Sequence, residues 1–134
     1  MFEEKNILIA DNDIKTVECA AAVLKIRGYE IFFADNSVKT EILLKKNIYG
    51  LLLININLTP VNGFEICRKI RGLNNRIPVI FLTDEGRDIK KITEYYSVGG
   101  QDYIVKPFIP EELAARVECQ LKVRDYNERL CAAI

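Results

Sequence analysis

The chain has 134 residues, 49% of them hydrophobic, which is one domain's length with enough apolar material for one core. It holds no apolar run of the roughly eighteen residues a membrane span needs, and no basic-then-apolar leader at its start, so a cytoplasmic protein is expected. Nineteen Lys and Arg balance nineteen Asp and Glu, which argues against a domain that grips nucleic acid through its phosphates.

Asn6 to Ala10 is a short apolar run closed by polar residues and predicts a buried strand. Ile14, Val17, Ala21 and Leu24 then recur at helical spacing up to Arg27, and Gly28 follows as a natural C-terminal cap. Tyr29 to Phe33 predicts a second strand, and Ser37 to Lys46 a helix with Ile42 and Leu43 turned inward. Leu51 to Ile54 is continuously apolar, as in the central strand of a parallel sheet covered on both faces.

Asn62-Gly63 marks a turn before a third helix, Phe64 to Arg71, with Phe64, Cys67 and Ile70 on one side. Pro78 to Leu82 predicts the fourth strand, Arg87 to Val98 the fourth helix ended by Gly99-Gly100, and Tyr103 to Val105 the fifth strand. Pro110 with Glu111 and Glu112 opens a last helix, proline at its first position and acids at the positive end of its dipole. Five strand-then-helix units predict an α/β three-layer sandwich: a five-stranded parallel sheet with five helices and right-handed crossovers.

There are four cysteines, Cys19, Cys67, Cys119 and Cys131, and no histidine. The cysteines are too far apart in sequence for a zinc site, and each lies in a predicted helix, so all four are read as structural, behaving as small hydrophobes, without disulfides.

A doubly wound sheet gathers its functional groups at the carboxyl ends of its strands. Those ends carry Asp11, Asn12 and Asp13, then Asn55, Thr83 and Lys106-Pro107. Acids, amides, a hydroxyl and an ammonium thus converge on one edge. No Gly-rich phosphate loop follows the first strand, which leaves a flavodoxin-like cofactor binder with little support.

Four segments together resemble the receiver domain of two-component response regulators. They are Ile7-Leu-Ile-Ala-Asp11, the Asn62-Gly63 turn beyond Asn55, Pro78 to Thr83, and Gly99 to Phe108. The resemblance covers residues 5 to about 123 and implies the strand order 2-1-3-4-5. Position by position it makes Asp11 and Asn12 the acidic pair that holds magnesium, with the Asn57 carbonyl as a further metal ligand. Asn55 stands where the phosphate-accepting aspartate stands. Thr83 and Lys106 stand where the phosphoryl group is contacted, and Tyr103 where the family has its rotating aromatic. The family's Lys-Pro bond at 106-107 is cis.

Asn12 and Asn55 depart from the family pattern, and in the same direction. A usual pocket holds three carboxylates and one lysine and needs a cation. Carboxylates roughly 5 Å apart repel by about 3 kcal/mol at an effective dielectric near 20. Here Asp11 faces Lys106 and the pocket is neutral, without two of the anionic ligands magnesium prefers. The expectation is magnesium bound weakly or not at all, and no acyl phosphate at Asn55. Asn12 retains an amide oxygen able to coordinate metal, and Asp13 either caps the first helix or replaces a missing ligand.

The stretch Asp102 to Arg116 is similar to receivers of winged-helix (OmpR-type) transcription regulators, which pair through the fourth helix, fifth strand and fifth helix. By that likeness Asp102 and Arg116 supply cross-subunit ion pairs, with Lys90 or Lys91 as the fourth-helix cation. Beyond Val123, the residues Val123, Tyr126, Leu130 and Ala133 follow 3-4-3 spacing, so residues 124–134 read as a helix extension or the start of a linker.

The implied function is a degenerate receiver in two-component signalling that is not an enzyme and regulates by protein contact. Its expected partners are a sensor histidine kinase or another signalling protein and a second copy of itself, with neither nucleic acid nor membrane. The alternative is a working phosphoacceptor, with Asn55 substituted for a native aspartate or with Asp11 or Asp13 accepting the phosphoryl group.

Overall fold

The computed structural model describes residues 5–84 and 88–133, the side chains of 132 and 133 excepted. Strands and helices alternate as β1 (Asn6–Ala10), α1 (Ile14–Ile26), β2 (Glu30–Ala34), α2 (Ser37–Lys46), β3 (Leu51–Asn55), α3 (Gly63–Gly72), β4 (Val79–Thr83), α4 (Ile89–Ser97), β5 (Asp102–Val105) and α5 (Pro110–Ala133). All strand pairs are parallel and the order is β2-β1-β3-β4-β5, as the resemblance implies.

Side-chain alternation in the central strands divides the interior in two. Ile7, Ile9, Leu51, Leu53, Ile80 and Leu82 meet Val17 and Leu24 of α1 and Leu113, Val117 and Leu121 of α5. Leu8, Ala10, Leu52, Ile54, Val79 and Phe81 meet α2, α3 and α4 through Leu44, Phe64, Cys67, Ile70 and Tyr95. These continuous apolar runs are what a strand buried on both faces requires.

Helix starts are fixed by side-chain caps. Asp13, Asn36, Asn62 and Asp88 each accept a hydrogen bond from a first-turn backbone N–H, satisfying a donor the helix itself cannot. Arg87, expected to begin the fourth helix, lies outside the described residues. Gly28 closes α1 with a positive φ of 92°, the conformation glycine adopts without strain.

Three expectations need correction. Ile42 is exposed, because α2 turns Ser37, Thr40 and Leu44 inward, with Leu43 only partly buried. Ile14 is also exposed, since the buried side of α1 is Thr16, Val17, Ala20 and Leu24. Of the cysteines only Cys67 is buried; burial pushes its thiol pKa up, and Sγ donates to the Val98 carbonyl. Cys19, Cys119 and Cys131 are exposed free thiols on helix faces turned from the sheet.

α5 runs unbroken past Val123. Arg124 ties it to the body, donating from Nη1 to the carbonyls of Tyr49 and Gly50 at 3.3 and 3.2 Å. Desolvation there holds the Arg124 guanidinium pKa below its ordinary value. Among the described residues no helix is long and apolar enough to cross a membrane.

Candidate functional site

The strands deliver the expected residues to one edge. Asp11 follows β1, Asn55 ends β3, Thr83 ends β4 and Lys106 follows β5. Asp11 is 0% exposed. A carboxylate so placed is stable only if its charge is answered, and the protein supplies three partners. Lys106 Nζ lies 2.7 Å from Oδ2. The Asp13 backbone N–H donates to Oδ1 at 2.9 Å, and the Asn55 side-chain amide donates to the same oxygen at 3.1 Å.

Asn55 faces both ways. Its Nδ2 also lies 3.4 Å from Asn12 Oδ1, a long contact, while its Oδ1 accepts from the Asn57 backbone N–H at 3.0 Å. The reverse amide orientation would set oxygen against carboxylate and NH₂ against N–H, so the chemistry selects the observed one. The residue is held on the backbone side as well. A Cβ at Gly63 would stand 2.7 Å from the Asn55 carbonyl oxygen, so the glycine of the Asn-Gly turn permits α3 to approach β3.

Asn12 is exposed at the rim. Asp13 caps α1: its carboxylate accepts from the Thr16 hydroxyl at 2.9 Å and the Lys15 N–H at 3.1 Å. The Thr16 hydrogen bond is the main cause holding the Asp13 carboxyl below the usual carboxylate range. A cavity of about 350 Å³ opens beside these residues, lined by Asp13, Thr16, Cys19, Lys106 and Phe108.

The donor set matters for a metal. Among the described residues no three His, Cys, Asp or Glu side chains cluster as a cation site. Buried Asp11 already holds an ammonium and two N–H donors, and the Asn55 NH₂ points toward it and toward Asn12. That set fits a hard dication poorly.

Thr83 is buried, and its carbonyl accepts the Lys106 N–H at 2.6 Å, joining β4 to the start of the Lys106-Pro107 segment. The Lys106-Pro107 bond is cis, and so is Thr59-Pro60, which the sequence reading did not expect. Tyr103 is partly buried, its ring stacked on Tyr95 at 4.8 Å. Tyr95 in turn stacks on Phe81 at 5.4 Å and lies 5.5 Å from Phe64. Tyr103 is legible from the sequence; Tyr95 is not among the expected residues, and its one signal is helical spacing from Ile92 on the inner face of α4. Arg71 is not among them either; its guanidinium reaches across from α3 to the Gly99 and Asn75 carbonyls and to Gln101.

The residues assigned to pairing lie on α4, β5 and α5. Within one chain Arg116 Nη1 binds both Asp102 oxygens, at 3.0 and 2.8 Å. Of the two lysines, Lys91 lies over the Phe64 ring at 5.6 Å, and Lys90 is exposed.

Comparison with known proteins bears on the family and the fold. The family described as response regulator receiver domain matches residues 7–118. The transcriptional regulatory protein YvrH of Bacillus subtilis is 35% identical over 129 residues, covering 96% of this chain and 53% of YvrH. The chain thus spans about half the length of the curated relatives it matches. A two-component response regulator from Clostridium difficile superposes with a TM-score of 0.82 at 29% identity, covering 87% of this chain and 95% of that one. NtrX of Brucella abortus, at 20% identity, shares the fold over 96% of this chain and 29% of its own, with a TM-score of 0.89.

Proposed function

The chain belongs to the response regulator receiver domain family, and from that premise we propose that it is a receiver set by protein contact, without phosphorylation at Asn55. The family is a signalling domain rather than a classical enzyme. The observation that carries the reading is the Asn55 amide, which donates a hydrogen bond to buried Asp11. A carboxylate there would offer a nucleophile to phosphorus and repel Asp11. The amide offers no comparable nucleophile and attracts Asp11. One substitution therefore removes the acceptor and also the charge that calls for magnesium, so magnesium binds weakly at most.

The setting is two-component signalling in the cytoplasm, and the chain acts as the input half of a transcription regulator, in keeping with the printed role of YvrH. Its partners are a sensor histidine kinase or another signalling protein, and a second copy meeting it through α4, β5 and α5. Asp102 and Arg116 satisfy one another within a chain. Pairing would exchange those contacts between copies, and Arg116→Glu should convert a dimer to monomer in sedimentation at micromolar concentration.

Intact mass after incubation with acetyl phosphate and magnesium tests the central reading. An unchanged mass is expected. A hydroxylamine-labile phosphoryl adduct would overturn it and point to Asp11 or Asp13 as acceptor.

A further inference from the structure

In a parallel sheet the crossover helices run against the strands, so the C-terminal ends of α2 and α3 lie at the sheet edge opposite Asp11. Two adjoining cavities open there. The smaller, about 290 Å³, is lined by Lys45, Lys46, Tyr49, Asn75, Ile77 and Arg124, among others. The larger, about 440 Å³, lies between α2 and α3 against Leu44, Ile70 and Leu73. The two share Leu44, Lys45 and Asn75.

The smaller cavity presents hydrogen-bond donors and no acid. Tyr49 is 2% exposed, its ring set edge-on to Phe32 at 5.5 Å. Its oxygen accepts from the Asn47 amide at 3.3 Å, while its hydroxyl proton meets no acceptor among the described residues. Burial pushes the Tyr49 pKa up, so that proton stays in place. A buried donor left unmatched is costly. Asn75 Oδ1 accepts the Ile77 N–H at 3.0 Å, which leaves the Asn75 NH₂ to donate elsewhere. Among the described residues neither Lys45 nor Lys46 has an ion-pair partner, and Glu41, one turn before Lys45, is taken by Lys69 at 3.1 Å. Arg124 enters from α5, its Nη1 at the Tyr49 and Gly50 carbonyls. Lysines in a last turn answer the helix dipole, but that explains neither a third cation from another helix nor the Tyr49 proton. The chain as a whole is neutral, so three cations without an acid are a local excess.

We propose that the paired cavities take one soluble ligand, a phosphate monoester on a short apolar or aromatic body. The phosphate sits in the smaller cavity. Near neutral pH it carries close to two negative charges and three terminal oxygens, which accept from Lys45, Lys46, Tyr49 and Asn75 in the field of Arg124. A carboxylate, with one charge and two oxygens, leaves part of this donor set unanswered. The apolar body lies against Leu44, Ile70 and Leu73. Leu73 is 69% exposed, and covering it adds affinity that phosphate alone lacks. The site is remote from Asp11 and does not depend on the role of Asn55.

Nuclear magnetic resonance titration of the full chain tests this with three probes: hexyl phosphate, inorganic phosphate and hexanoate. Hexyl phosphate should shift the Tyr49, Gly50, Leu73 and Asn75 amides saturably. It should bind about tenfold tighter than inorganic phosphate, a gain that burying two methylenes supplies, and tighter than hexanoate. Lys45→Gln, Lys46→Gln, at two exposed positions, should weaken both phosphates about tenfold. Tyr49→Phe should weaken both with no loss of thermal stability. Leu73→Ser should bring hexyl phosphate down to the level of inorganic phosphate. Shifts confined to Asp11, Asn12, Asp13 and Lys106 would overturn the proposal, as would hexanoate binding as tightly as hexyl phosphate or indifference to the lysine pair. Vesicles of phosphatidic acid in phosphatidylcholine separate a free ligand from a lipid headgroup. Pelleting with them, without a response to hexyl phosphate, would overturn the soluble ligand in favour of a membrane surface.

Discussion

Replacing Asn55 by aspartate should weaken the metal-free fold and make its stability depend on magnesium. In the parent, Asn55 Nδ2 donates to Asp11 Oδ1 at 3.1 Å. A hydrogen bond to a charged acceptor is worth about 1.5–3 kcal/mol, and Asn55→Asp removes it. In its place stands a second carboxylate, with charge centres about 4 Å from those of Asp11. At an effective dielectric of 20 the repulsion is about 4 kcal/mol, partly offset by Lys106, 2.7 Å from Asp11. A net loss of about 2–4 kcal/mol follows, some of it relieved if one carboxyl takes up a proton.

For a domain of this size such a loss lowers Tm by roughly 6–15 °C. Melting followed by circular dichroism, with a chelator and with magnesium, reads it directly. Magnesium at a hundred times its Kd would restore about 2.7 kcal/mol. Asn12→Asp, Asn55→Asp should recover more fully with magnesium than the single variant, and accept a phosphoryl group faster from acetyl phosphate. An Asn55→Asp protein as stable as the parent in chelator would refute the reasoning, because the amide would then not be holding Asp11.

Lys106→Met leaves Asp11, which is 0% exposed, without its countercharge and should cost about 3 kcal/mol in denaturant unfolding. Gly63→Ala drives a Cβ to 2.7 Å from the Asn55 carbonyl and 3.1 Å from Ile56 Cα. Backbone cannot yield as a side chain can, so a loss of about 1–3 kcal/mol is expected, read as a shifted urea midpoint. The Asp13 carboxyl is held below its ordinary value, chiefly by Thr16. Its contribution is therefore complete above about pH 4, where an unfolded aspartate is ionised, and is lost as pH falls through the lower folded value. Thr16→Val should melt below the parent at neutral pH and converge with it in acid.

Much of the site was legible because a parallel sheet places strand ends by topology alone. Asp11, Asn55, Thr83 and Lys106 were assigned to one edge from chain order and the resemblance, and the structure puts them there. The alternation of Ile7 to Ala10 and Leu51 to Ile54 between two layers is likewise set by strand geometry. What sequence could not convey was which face a short helix presents. In α2, Ile42 is exposed while Thr40 and Leu44 are buried, because the crossover angle selects the inner face, and hydrophobicity there is a weak guide. The cysteine reading failed similarly at Cys19, Cys119 and Cys131, where position on the helix outweighs residue type. Arg71 and Arg124 were unreadable for another reason: each binds carbonyls far away in sequence, and only the folded chain brings them together.

Titration calorimetry with magnesium tests most directly whether the Asn55 amide takes the place of both acceptor and cation. The parent should show no binding at sub-millimolar magnesium, and Asn12→Asp, Asn55→Asp should bind in that range. Sub-millimolar affinity in the parent would contradict the account, since a cation would then occupy the pocket despite the amide.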